Sequence, residues 1–191
     1  MKRFQFLAAS ACVLLVVGCT QQKEAPYNTK LEVKEVMGHV IDFGAQAFWH
    51  SAGFIDTAEG TRSLTPSTEE GWLTAQSGAA TVAEGANLLM LPDRARDNGD
   101  WIKFARQLSE RSLEGMAAAD AGEAAWRAIE AAKAAGGSTK EAEAQLVTAE
   151  TAMFDKGGQM YEVCTTCHEK YLLPFLDEEG EMKTKAPLKG K

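Results

Sequence analysis

Four stretches of the chain repeat apolar residues at steps of three and four, and none alternates them at steps of two. That pattern constrains the fold more than any other feature, because it belongs to amphipathic helices and not to half-buried strands. From Thr29 to about Ser51 one face carries Val33, Val36, Met37, Val40, Ile41, Gly44, Ala47 and Phe48. Gly53 to Pro66 reads as a loop. Ser67-Thr68-Glu69-Glu70 then has the form of a capping box, and the helix it opens holds Trp72, Ala79, Val82, Ala86 and Leu89 and stops before Pro92. Asn98 is the expected cap of a third helix, whose stripe runs through Trp101, Ala105, Leu108, Ser112, Gly115, Ala119, Gly122, Trp126 and Ile129 to a stop at Gly136-Gly137. Ser138-Thr139-Lys140-Glu141 is a second capping-box pattern, opening a helix that reaches Tyr171 before Pro174. Four such helices with short connections predict an all-α, antiparallel four-helix bundle. Gly122 and Gly157-Gly158 are the weak points, each glycine costing about 1 kcal/mol against alanine inside a helix.

The remaining segments read as address and appendage. Lys2 and Arg3 precede an apolar run from Phe4 to Val17, which the polar Thr20-Gln21-Gln22-Lys23-Glu24 ends too soon for a transmembrane helix. Val16-Val17-Gly18-Cys19 resembles the bacterial lipobox, which predicts cleavage after residue 18 and a lipid on Cys19; an ordinary signal peptide is the alternative. Residues 19–28 would then tether a domain spanning 29–172 to a membrane facing the periplasm. Thr20 after the lipidated cysteine favours the outer membrane. Residues 173–191 read as a charged tail.

The 191 residues suit one domain, 45% apolar and 25% charged, with a formal net charge of −7. Losing residues 1–18 removes Lys2, Arg3 and no acid, so two positive charges leave and −9 remains. Such a balance speaks against nucleic acid as a partner.

Cys164-Thr165-Thr166-Cys167-His168 carries the chemistry. C-x-x-C-H is the attachment signature of c-type haem. On a helix, residues three and four apart share a face, so two thiols can reach the two vinyl groups on one porphyrin edge while the adjacent imidazole lies under the iron. A disulfide fits poorly within a regular helix, a redox C-x-x-C usually follows a strand, and zinc would need ligands beyond His39 and His50. The expected cofactor is one covalent haem c, attached through Cys164 and Cys167 near the carboxyl end of the fourth helix, with His168 as the proximal iron ligand. Leu146, Ala149, Met153, Met160, Cys164, Cys167 and Tyr171 form one stripe, so the haem is expected to face the bundle interior.

A signal segment, four helices and a single late C-x-x-C-H resemble the class II c-type cytochromes, the cytochrome c-prime group and its low-spin relatives, over residues 29–172. The resemblance implies a first helix facing the distal side of the iron, where low-spin members place a methionine. Met37 stands at the matching place and is the implied sixth ligand, with core packing as its alternative role. His39 lies about 200° around the helix from Met37 and His50 near its far end, so neither is expected to face the iron. Met90 and Met160 are expected to pack near the haem, and some of the four tryptophans to line its pocket.

Two functions follow from this. With both axial positions held, the protein is a monohaem carrier of single electrons whose acidic surface steers it to a redox partner with a basic docking face. With Met37 off the iron, it is a cytochrome c-prime-like binder of nitric oxide or carbon monoxide. No catalytic set is visible, so an enzyme is not expected. The family's homodimers, formed through the first two helices, leave that arrangement open here.

Overall fold

The computed structural model describes residues 26–181 and residue 183. The expected signal segment, the expected lipidation site Cys19, most of the expected tether and residues 184–191 lie outside the described residues.

The described chain is mostly helical. An N-terminal helical run consists of α1 (Val33–Val36), a π-helical turn over Met37–Ile41 and α2 (Asp42–Trp49). It is followed by α3 (Glu69–Leu89), α4 (Asp100–Ala134) and α5 (Lys140–Tyr171). At about 1.5 Å per residue, α4 and α5 are each roughly 50 Å long. All-α is therefore right as a class, with one local exception. The segment read as a loop contains an antiparallel hairpin, β1 (Phe54–Thr57) and β2 (Gly60–Ser63), paired from Phe54 opposite Ser63 to Thr57 opposite Gly60. Both strands are exposed throughout, so no burial-driven alternation marks them. The tight turn relies on Gly60, at φ 126°, and on the Thr57 hydroxyl, which donates to the Gly60 carbonyl at 3.0 Å.

The first helix begins at Val33 and not at Thr29, with the Glu35 carboxylate accepting from the Glu32 amide at 2.8 Å, and the starts of α3, α4 and α5 each shift by one residue or change their chemistry. Thr68, not Ser67, caps α3, its hydroxyl accepting from the Gly71 amide at 3.1 Å. Asp97, not Asn98, serves α4, its Oδ1 accepting from the Gly99 and Trp101 amides at 2.8 and 3.2 Å. At α5 the Thr139 hydroxyl donates to Glu143 and makes no cap bond, so the second capping box does not form. The stops are as expected. Gly136, at φ 66°, lets the Gly136 and Gly137 amides bond back to Lys133 and Ala132, which satisfies the last carbonyls of α4.

Neither glycine weak point breaks its helix, because each makes room for a neighbour. A Cβ on Gly122 would lie 2.6 Å from the Trp72 ring, and one on Gly157 would lie 3.1 Å from that of Trp49. Gly44 of α2 and Gly78 of α3 do the same for backbone: a Cβ on either would fall within 2.8 Å of the other's carbonyl oxygen. Phe48, Trp72, Met153 and Met160 fill the centre and are fully buried.

The packing is uneven around the molecule. α2 lies along α3, α3 along α4 and α4 along α5, whereas α2 and α5 barely meet. Buried Arg94 helps set the entry to the N-terminal run, its guanidinium donating to the Leu31 carbonyl at 3.0 and 3.1 Å and to the Leu88 carbonyl at 3.3 Å. The gap between the first and last helices is where the candidate site lies.

Candidate functional site at the gap between the first and last helices

Cys164, Cys167 and His168 occupy the last two turns of α5, where a three-and-four spacing keeps them on one face. All three are half-buried. They open onto a cavity of about 510 Å³, within the usual range of small-molecule and cofactor sites. Its opposite wall is the N-terminal run, through Met37, Ile41, Asp42, Ala45 and Trp49, and its floor is α4, through Trp101, Phe104, Ala105 and Leu108. A second cavity of about 440 Å³ shares Met37, Trp101, Cys167 and His168 and extends toward the end of α5.

That second space is walled in part by the described beginning of the segment read from sequence as a charged tail. Pro174 does end the α-helix, and a 3₁₀ turn follows at Leu173–Phe175. The chain then folds back: the Lys183 amide donates to the Phe175 carbonyl at 2.8 Å and the Asp177 amide to Glu181 at 2.9 Å. Leu176, Gly180 and Glu181 thereby wall the cavity beside His168. Lys34 and Arg96 line the same cavity, and neither forms an ion pair with a described residue.

Burial governs the electrostatics at the three motif residues. It pushes the Cys164 thiol up to about 11, with the Asp42 charge adding to the effect, and the Cys167 thiol also to about 11, with Cys164 adding. A redox-active C-x-x-C needs the reverse, a thiol whose ionisation is made easier. No disulfide joins Cys164 and Cys167. Burial also pushes His168 below the usual histidine value, which favours the neutral imidazole that binds metals. Among the described residues, no group of three or more His, Cys, Asp or Glu side chains is placed to hold a bare metal ion.

The end of α5 is tied to the start of α4. The Tyr171 hydroxyl donates to Asp97, its ring packs edge-on against Trp101 with centroids 5.1 Å apart, and Lys170 pairs with Asp100 at 2.6 Å. Because Trp101 also lines both cavities, this clamp holds the wall beside His168 in place.

Of the residues singled out from sequence, Met37, Cys164, Cys167 and His168 meet at one cavity. His39 and His50 are exposed and do not line it. Met160 is buried in the core and Met90 packs at its edge, both apart from the cavity lining. Trp49 and Trp101 line the cavity, while Trp72 and Trp126 do not. Arg96, Phe104 and Glu181 were not foreseen; only the folded arrangement brings these polar-turn, helix-flank and C-terminal residues to the site. Comparison of the chain with family models, with curated proteins and with solved structures returned no match.

Proposed function

We propose that this protein is a monohaem c-type cytochrome carrying single electrons, a four-helix bundle of the class II kind, tethered to a membrane on its periplasmic side through Cys19. One observation carries the reading. The two thiols and the imidazole of C-x-x-C-H all line a largely apolar cavity, and among the described residues the only sulfur on its opposite wall is that of Met37.

The residues fit the group they would hold. Cys164 and Cys167 would each add a thiol S–H across a vinyl double bond, which needs no oxidant and fixes one porphyrin edge to α5. His168, kept neutral by its surroundings, offers a ring nitrogen from one side. Met37 offers a thioether from the other. Trp101, Phe104, Ala105 and Leu108 would keep water from the group, and Lys34 and Arg96, which line the adjoining cavity, would supply positive charge for its carboxylates. When bound, the haem iron supplies reversible one-electron exchange between its ferrous and ferric states.

Were His168 and Met37 both to bind the iron, no position on it would be left for a substrate, which supports a carrier over an enzyme. The acidic balance, −7 for the full chain and −9 without residues 1–18, supports encounter with a partner that presents a basic face, at rates that fall as salt rises. Addition of carbon monoxide to the reduced protein separates this reading from gas binding. The carrier reading expects sharp α and β bands that carbon monoxide leaves unchanged, whereas a prompt stoichiometric shift supports an open distal position.

A further inference from the structure

The larger cavity reaches the surface along one seam. Its exposed lining residues are Gly38, Asp42 and Gln46 of the N-terminal run and Tyr161 of α5, whereas those contributed by α3 and α4 are buried or half-buried. Gly38, Asp42 and Gln46 follow one another at steps of four and form one bank of the opening; Tyr161 stands on the other. The banks stay apart because α2 and α5 barely meet.

The seam continues past the cavity as an apolar groove. A hollow of about 290 Å³ shares Trp49 and Tyr161 with the cavity and adds Phe48, Met153 and Phe154. The Trp49 and Tyr161 rings meet edge-on with centroids 6.0 Å apart, and the Trp49 indole donates to the Gly157 carbonyl at 3.0 Å, so this pair stands between cavity and groove. Phe154 and Tyr161 are 63% and 59% exposed and, two turns apart, share one face of α5. Aromatic side chains left in water along an apolar groove are what the centre of a protein–protein interface is made of.

Carboxylates rim this strip. Asp42 lines the mouth, and the exposed Glu162 and Glu169 lie about 40–60° beyond the lining residue Thr165, on the outer flank of α5. None of the three forms an ion pair with a described residue, while the lysines of that stretch, Lys156 and Lys170, are taken up by Glu114 and Asp100 of α4. The adjoining cavity has its exposed residues at Lys34, Gly180 and Glu181, beside Arg96, so cations stand at that mouth instead. An apolar strip with unpaired anions on both banks fits a partner that presents an apolar patch ringed by lysine and arginine.

Resting on the haem reading above, we propose that the redox partner docks on this seam, over Tyr161 and Phe154, with its cations against Asp42, Glu162 and Glu169. Electron exchange weakens steeply with distance, and the seam is where the cavity comes to the surface.

Two tris(phenanthroline) complexes, cationic and apolar at once, serve as probes. The chromium(III) complex is paramagnetic and takes no electron. Titrated into the reduced holoprotein, it broadens the amide resonances of Asp42, Phe154, Tyr161 and Glu162 before those of Glu130, Glu141 and Glu143, at the other end of α4 and α5. The cobalt(III) complex takes one electron from ferrous iron, leaving ferric iron and cobalt(II), and stopped-flow absorption at matched driving force gives the rate. Asp42→Asn/Glu162→Gln/Glu169→Gln slows it about fivefold at low salt, and Glu130→Gln/Glu141→Gln/Glu143→Gln, which removes the same charge, less than about twofold. Phe154→Ser, outside the cavity lining, slows it about threefold with the absorption spectrum unchanged. Broadening centred elsewhere overturns the inference, as does equal slowing by the two triple variants or a wild-type rate for Phe154→Ser. A wild-type protein without a haem spectrum overturns the haem reading and this inference with it, whereas a haem-loaded protein that fails these tests overturns the inference alone.

Discussion

The two parts of α5 carry one continuous stripe and end in opposite surroundings. Up to Met160, the side chains or backbone of Ala149, Met153, Gly157 and Met160 are buried and the space is filled. Beyond it, Cys164, Cys167 and His168 stay half-buried around a cavity of about 510 Å³. Protein interiors pack as densely as organic crystals, and unfilled apolar volume costs stability in proportion to its size. The first part of the helix is thus a packing element and the second, on the reading proposed above, a mounting surface, although both share the same helical period.

Four variants break or sharpen that contrast. The largest effect is expected from Cys164→Ser/Cys167→Ser, which removes both attachment points. Covalent haem disappears, and the melting temperature falls by more than any single core truncation produces, since the cavity part loses what it is built to hold. A haem stain on a denaturing gel and a thermal melt report the two parts. Met153→Ala strikes the packed part instead. It is expected to cost about 2–5 kcal/mol, read from urea unfolding, while the absorption spectrum stays as in wild type.

Met37→Ala is the converse case. Stability changes little, because Met37 is only half-buried, but the charge-transfer band is lost and the reduction potential falls, since methionine ligation raises it. Potentiometric titration checks this against wild type.

Tyr171→Phe has the smallest effect. It removes the hydroxyl bond to Asp97 at the end of the mounting surface, a loss of about 1 kcal/mol near neutral pH, read from urea unfolding. That bond, helped by the Gly99 and Trp101 amides, holds the Asp97 carboxyl below its ordinary value of 3.8. A carboxyl lowered in the folded state stabilises the protein fully above its unfolded value, and the contribution is lost as pH falls through the folded value. The gap between wild type and Tyr171→Phe therefore narrows as urea unfolding is repeated from pH 5 down to pH 3.

The helices were legible because their stripes reflect burial against neighbours, and α3, α4 and α5 run close to where periodicity places them. Their starts were less legible: Ser67 and Thr68, Asp97 and Asn98, Ser138 and Thr139 put two capping residues side by side, and the local turn selects between them. The hairpin escaped because both its strands are exposed and carry no buried face. The π turn escaped for another reason: over one or two turns, steps of three and four look the same with or without an inserted residue. At the site, C-x-x-C-H and Met37 were readable from spacing and from a family likeness. Arg96 and Glu181 come from a turn and a C-terminal segment whose sequences hold no sign of what they will face.

Everything about the mounting surface turns on what Cys164 and Cys167 hold. Intact-mass measurement of the protein, expressed with residues 1–18 in a host that exports and attaches c-type haem, tests this most directly. The account predicts a species heavier than the processed chain by one haem, with the added mass kept through denaturation and mapped to the peptide containing Cys164 and Cys167. A folded, exported polypeptide with both thiols unmodified would contradict it.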